Sequence, residues 1–373
     1  MDAATPVATA MRPAWFDWLR RELAPTPARG GMMLRIMVTT VLVVIISMAL
    51  QVPDILISAY MVIFVTKENK IVTALVGTLL IIGVTIAIAI SLLVYRFTFD
   101  FPEWRVPAMA VVLFAGFFAS RILAIGPLGF GIGFVIAATQ SVAELMPSAE
   151  YLVHWLLWLW VAVTYPIALT VIVTRLIAPH ANAPAGAAPK PKKRFVAADA
   201  FTNPAHIHFA LKVTLAAMTC YILYTAVDWP GIHTAFITCC FISLESLGAT
   251  LHKGALRLAG CACGGLLGFL SIIYLVPRME SIVSLSILVA SVSALAGWVA
   301  AGSERIAYGG LQIALAFYMC ILQDFEPDTD FVKIRDRLVG IVLGIIVTTL
   351  VFRYLWPVHP TPPARVTPVS DNP

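Results

Sequence analysis

Between Lys70 and Arg96 the chain places no charged side chain at all, and apolar runs of similar character recur from Leu34 to the Trp356 region. As an α-helix, about 20 such residues cross the roughly 30 Å hydrocarbon core of a bilayer. In that solvent every backbone N–H and C=O needs a partner within the protein, which leaves helices or closed barrels. Barrel strands alternate in polarity over about ten residues; the 71–95 run is too long and too uniformly apolar for that. The chain reads as an all-α membrane protein. Composition agrees, with 60% hydrophobic and 12% charged residues where a water-soluble domain has about a quarter charged.

Twelve candidate transmembrane helices emerge. In a first half they cover 33–50, 53–66, 71–95, 106–124, 126–141 and 151–177. In a second they cover 208–227, 231–248, 254–276, 280–300, 306–323 and 335–356. The second, fifth and eleventh are short or broken by glycine. This divides the chain into an N-terminal arm (1–32), a six-helix half (33–177), a Pro/Ala/Lys linker (178–207), a second six-helix half (208–357) and a tail (358–373). Pro179, Pro184, Pro189 and Pro191 keep the linker from packing a core, and Lys192, Lys193 and Arg194 close its central stretch. The arm carries Trp15, Phe16, Trp18 and Leu19 for contact with membrane lipid.

Cytoplasmic loops carry the excess of Lys and Arg. With both termini inside, all of the 25 basic residues except Arg96, Arg105, Arg278, Lys333, Arg335 and Arg337 fall on the cytoplasmic side. Asp324, Glu326, Asp328 and Asp330 then fall outside, as do Glu144 and Glu150.

The halves share an ordered set of short matches. Val52-Pro53-Asp54 faces Trp229-Pro230-Gly231, and Lys67-Glu68-Asn69 faces Leu244-Glu245-Ser246. Leu75-Val76-Gly77 faces Leu258-Ala259-Gly260, with extra residues in the second copy, and the Arg175–Pro179 stretch faces Arg353–Pro357. An even helix number gives both copies one orientation, so the repeat is parallel, with a substrate path between the halves.

Ionisable groups in a span pair up or line a path. His233, in the eighth span, and Glu245, near its other end, are the proton-coupling candidates, with Glu68 opposite Glu245 in the repeat. His titrates near neutral pH, and burial raises a carboxyl into reach of it. Lys253 and Arg257 are candidates to hold an anionic substrate; the alternative makes them positive-inside anchors. Tyr308 and Gln312 share a helix face and suit either an aromatic carboxylate or an interhelical hydrogen bond. Arg257, Gly260, Gly264 and Gly268 share another, which reads as a close-packing seam. The six cysteines read as apolar packing residues, with no metal-site spacing. No nucleotide-binding loop or hydrolase elbow is present, so the chain reads as neither an ATP-driven pump nor an enzyme. It calls for no cofactor and no nucleic acid.

The string Glu22-Leu23-Ala24-Pro25-Thr26-Pro27-Ala28-Arg29 resembles the segment leading into the first span of the fusaric-acid-resistance family, which includes aromatic-acid exporters and related multidrug efflux subunits. Lys67-Glu68-Asn69, Arg257-x-x-Gly260, the Tyr308–Phe317 run and Arg337-x-x-Gly340-x-x-x-Gly344 are similar to the family as well. The resemblance extends from about Glu22 to Pro357. It implies an inner-membrane secondary exporter of small organic (aromatic) acids or drugs in a Gram-negative cell. Proton motive force would drive it, with a periplasmic adaptor protein and an outer-membrane channel as partners. The chain would be a short member lacking the large cytoplasmic regions of many relatives. A non-pumping scaffold or channel subunit is the alternative. Glycine faces and aromatic edges permit a homo-oligomer.

Overall fold

A computed structural model of the chain describes residues 20–143, 146–177, 195–244, 246–322 and 331–356. Outside them lie Glu245, Glu144, the acidic run 324–330, the basic linker residues 190–194, the aromatic arm residues Trp15 to Leu19, and the tail.

Twelve α-helices of nine residues or more are named among the described residues. They are α1 (Pro27–Leu50), α2 (Ile55–Val65), α3 (Lys70–Thr98), α4 (Pro102–Ile122), α5 (Gly126–Ser141) and α6 (Ala149–Ile177). After the linker come α7 (Pro204–Ala226), α8 (Thr234–Ile242), α9 (Leu247–Tyr274), α10 (Ile282–Ala300), α11 (Ala307–Ile321) and α12 (Phe331–Tyr354). Eight are long and apolar enough to cross a membrane, which makes this a multi-pass helical membrane protein. The other four, α2, α5, α8 and α11, have 11, 16, 9 and 15 residues. The eighth segment is much shorter than its sequence pattern, because a 3-10 turn occupies Pro230–Ile232 and the helix stops at Ile242. The linker also ends earlier than expected, with Pro204 already at the start of α7, where a missing N–H does no harm.

Matched hydrogen bonds hold the described residues of the loops after α2 and α8. At the end of α2, Thr66 Oγ1 donates to the Val62 carbonyl over 2.7 Å; at the end of α8, Ser243 Oγ donates to the Cys239 carbonyl over 2.6 Å. The Lys67 N–H then donates to Thr73 Oγ1 at 2.9 Å, and the Leu244 N–H to Thr250 Oγ1 at 3.0 Å. Asn69 and Ser246 cap the helices that follow. The turns before α2 and α8 also correspond. Gln51 and Asp228 are both left-handed, with φ of 55° and 51°. The next N–H in each turn, from Val52 or Trp229, donates back to Ser47 or Tyr224 over 2.9 Å.

Gln51 and Asp228, Thr73 and Thr250, and Gly77 and Gly254 are separated by one and the same number of residues. A Cβ on Gly77 would meet Ile167 of α6, and one on Gly254 would meet Ile345 of α12, each at 3.1 Å. Gly254 thus packs against α12 much as Gly77 packs against α6.

Helix partners follow a regular scheme. Helix α1 packs on α2, α6 and α10, while α7 packs on α8, α12 and α4. Helix α3 packs on α5 and α6, while α9 packs on α11 and α12. The segments before and after the linker are thus interleaved. One buried cluster joins Met109, Leu113 and Phe117 of α4 to Val213 of α7 and Phe236 of α8. Another joins Ile36 of α1 and Ile55 of α2 to Val289 of α10 and Phe317 of α11.

Candidate functional site

Helices α9 and α11 approach each other more closely than side chains ordinarily allow. A Cβ on Gly264 would lie 2.2 Å from the Ile313 carbonyl oxygen, and one on Gly268 would lie 2.5 Å from Cys320 Cβ. Only glycine admits backbone contact of this kind. The Gly260–Gly268 face is therefore a packing seam, and it brings α9 side chains within reach of α11.

Arg257 lies at the head of this seam and is 2% exposed. Its Nε donates to Thr238 Oγ1 of α8 at 3.1 Å. Its Nη1 donates to Tyr308 OH at 3.2 Å and to Gln312 Oε1 at 3.1 Å. Three helices thus converge on one guanidinium through neutral oxygens, and among the described residues no carboxylate pairs with it. One turn earlier, the Lys253 ammonium sits 5.0 Å from the centre of the Tyr308 ring, within cation–π range. Tyr60 of α2 lies within electrostatic range of Tyr308, Arg257 and Arg337.

Four of the candidates read from the sequence, Lys253, Arg257, Tyr308 and Gln312, therefore meet in one cluster. His233 and Glu68 do not join it. His233 stands at the N-terminal boundary of α8 and bonds the Pro230 carbonyl in its own turn at 3.0 Å. The Glu68 side chain is exposed on the loop between α2 and α3, and its backbone carbonyl accepts from Arg35 Nη2 at 3.0 Å. Glu245 is outside the described residues.

Lys253 also lines a cavity of about 320 Å³ whose wall comes from α4 and α5 before the linker and α7 to α9 after it. Its lining includes Phe117, Phe130, Phe209, Phe241 and Arg121. The rings form one connected set: Phe130 and Phe241 meet edge-on with centroids 5.6 Å apart, and Phe117 and Phe130 lie 5.2 Å apart. The Arg121 guanidinium is 5.3 Å from the Phe209 ring. An apolar, aromatic wall with a few polar groups is the usual make-up of a small-molecule site.

Arg337 escapes a reading of the sequence because it counts there among outer-loop charges. It lies in the second turn of α12 and is 7% exposed. The signal is present in the spacing Arg337-x-x-Gly340, which repeats that of Arg257-x-x-Gly260. Five of the six cysteines are buried, Cys263 is exposed, and all six are free thiols.

A polar cluster built around a buried arginine thus lies beside an aromatic cavity in a multi-pass helical membrane protein. Residues 217–352 match the family model described as fusaric acid resistance protein-like. Over 177 residues it is 38% identical to the Multidrug resistance protein MdtO of Shigella flexneri and to that of Escherichia coli strain K12. The matched segment covers 47% of this chain and 26% of each relative, so the chain spans about a quarter of the length of the curated relatives it matches. No solved structure matches the chain.

Proposed function

We propose that the chain exports small organic acids, aromatic ones above all, or drugs across the inner membrane. In this reading proton motive force drives the cycle, both termini are cytoplasmic, and a periplasmic adaptor and an outer-membrane channel complete the path. The aromatic cavity beside Lys253 carries the reading. Four phenylalanine rings offer an apolar slot for a planar body, and two cationic side chains stand at its wall for a carboxylate.

The twelve helices form two six-helix halves in a parallel repeat. The matched turns at Gln51 and Asp228, the matched loops at Thr73 and Thr250, and the paired helix contacts support this arrangement. In that register Leu80 stands where Arg257 stands, so the charged cluster belongs to the second half alone. Lys253, Arg257, Tyr308 and Gln312 bind the substrate's anionic group. Glu245, with His233 and Glu68 as lesser candidates, couples the proton. A non-pumping scaffold or channel subunit of a larger efflux assembly is the second reading.

The test is aromatic-acid tolerance in a host lacking its own exporters. Wild type should raise tolerance and Lys253→Met should lower it at equal membrane abundance. Equal tolerance with and without the protein, in the presence of its partners, counts against export.

A further inference from the structure

Arg337 is more than nine-tenths buried. Its Nη1 donates to the Met319 thioether at 3.0 Å, and the Cys261 thiol lies close to the guanidinium. Its Nε and Nη2 are buried without a hydrogen-bond partner. Among the described residues no carboxylate pairs with it. A buried guanidinium left this way is costly, and Arg stays protonated under all ordinary conditions. The two unpartnered donors are also a particular pair. Nε and Nη2 lie along one edge of the guanidinium and form the side-on fork that grips a carboxylate through two parallel N–H···O bonds.

A small space lies against the Arg337 side chain. A cavity of about 10 Å³, room for about one water, is lined by Arg337 with Cys261, Gly265, Ile334, Met319 and Lys333. It shares Cys261, Gly265 and Ile334 with a larger open groove of about 470 Å³ between α9 and α12. That groove is walled mainly by apolar side chains, Leu266, Phe269, Leu338 and Val339 among them. A carboxylate reaching one oxygen into the small cavity would leave its apolar body in the groove. The position also lies on the same face of α9 as the first cluster. Lys253, Arg257 and Cys261 follow at one-turn spacing along α9, so this face runs from the aromatic cavity, past the buried arginine, to the Arg337 cavity.

We propose that Arg337 and the groove between α9 and α12 form a second organic-anion site, one that holds the carboxylate of an amphiphilic monoacid by the side-on fork and its apolar body between the helices. The ligand class rests on the exporter reading; the site stands on the unpartnered fork and its cavity. It is distinct from the Lys253 cavity and sits at the other end of the same helix face.

The test is ligand-dependent thermal stability of the purified full chain in detergent, which needs no pumping cycle. Octanoate and benzoate should raise the melting temperature of wild type saturably. Octanol and benzyl alcohol, with the same bodies and no charge, should not. Arg337→Met should weaken octanoate binding tenfold or more. Arg337→Lys, which keeps the charge but loses the fork, should fall between and guards against a folding failure in the first variant. Lys253→Met should leave the octanoate response in place. An undiminished response in Arg337→Met overturns the site, and if Lys253→Met abolishes that response the exporter reading survives while this one falls. Stabilisation by chloride alone, with no carboxylate response, also overturns it, leaving an inorganic-anion cavity.

Discussion

Arg257 of α9 donates to the side-chain oxygen of Gln312 of α11 over 3.1 Å, inside a bundle where both side chains are almost wholly buried. The bond spans a seam at which backbone meets backbone, so its two ends have little freedom to separate. Gln312→Leu keeps the volume roughly but removes the acceptor. Loss of one partner from a buried charged donor costs about 1–3 kcal/mol, and a lowered melting temperature in detergent should report it. A stability equal to wild type would show that the guanidinium does not depend on Gln312.

The seam itself makes a sharper demand. Gly264→Ala would place a methyl group 2.2 Å from the Ile313 carbonyl oxygen, so α9 and α11 must part. Overpacking of this kind typically costs about 1–3 kcal/mol or more, and the Arg257 bonds to Tyr308 and Gln312 should weaken with it. A Cβ on Gly31 of α1, by contrast, would meet nothing within 4 Å. Gly31→Ala should therefore stabilise by up to about 1 kcal/mol through helix propensity. Thermal unfolding of the two variants side by side should move in opposite directions.

Thr73 and Thr250 close equivalent loops, each accepting from the backbone N–H six residues earlier. Valine at either position keeps the shape and leaves that N–H without its acceptor, a loss of about 1 kcal/mol. The two single variants should lose similar stability, and the double variant should lose their sum, because distant sites add. A large loss from one and none from the other would argue that the loops are not equivalent.

Phe241 touches Phe130 and Phe134 across the aromatic cavity, with centroids 5.6 and 4.8 Å apart. Removing an aromatic contact worth about 0.5–1.5 kcal/mol beyond its burial should raise the KM for aromatic acids several-fold in Phe241→Ala. Transport of small aliphatic acids should change less. A uniform loss for both classes would assign Phe241 to folding rather than to recognition.

Much of the architecture is legible in the sequence because lipid imposes a simple rule. Runs such as 71–95 can only be helix, and α3 spans Lys70–Thr98. Hydropathy overestimates the eighth segment because it continues through Ser243 and Leu244, whereas the backbone turns there with its groups held by Thr250 and the Cys239 carbonyl. Four-residue spacing is enough to find Tyr308 and Gln312, but Thr238, their companion on Arg257, gives no local signal in an apolar helix. Arg337 is hidden by the charge count that sets orientation, which treats an arginine near a helix end as a loop residue. The interleaving of α1 with α10 and α4 with α7 depends on contacts far apart in sequence, which composition does not encode.

The most direct test of the account is proton flux in vesicles holding the purified full chain, with an imposed pH gradient and aromatic acids added in turn. The account predicts substrate-dependent proton movement that an uncoupler abolishes and that Lys253→Met and Arg257→Gln each reduce at least tenfold. Folded protein that moves no protons with any aromatic acid, alone or with a candidate periplasmic adaptor added, would contradict it.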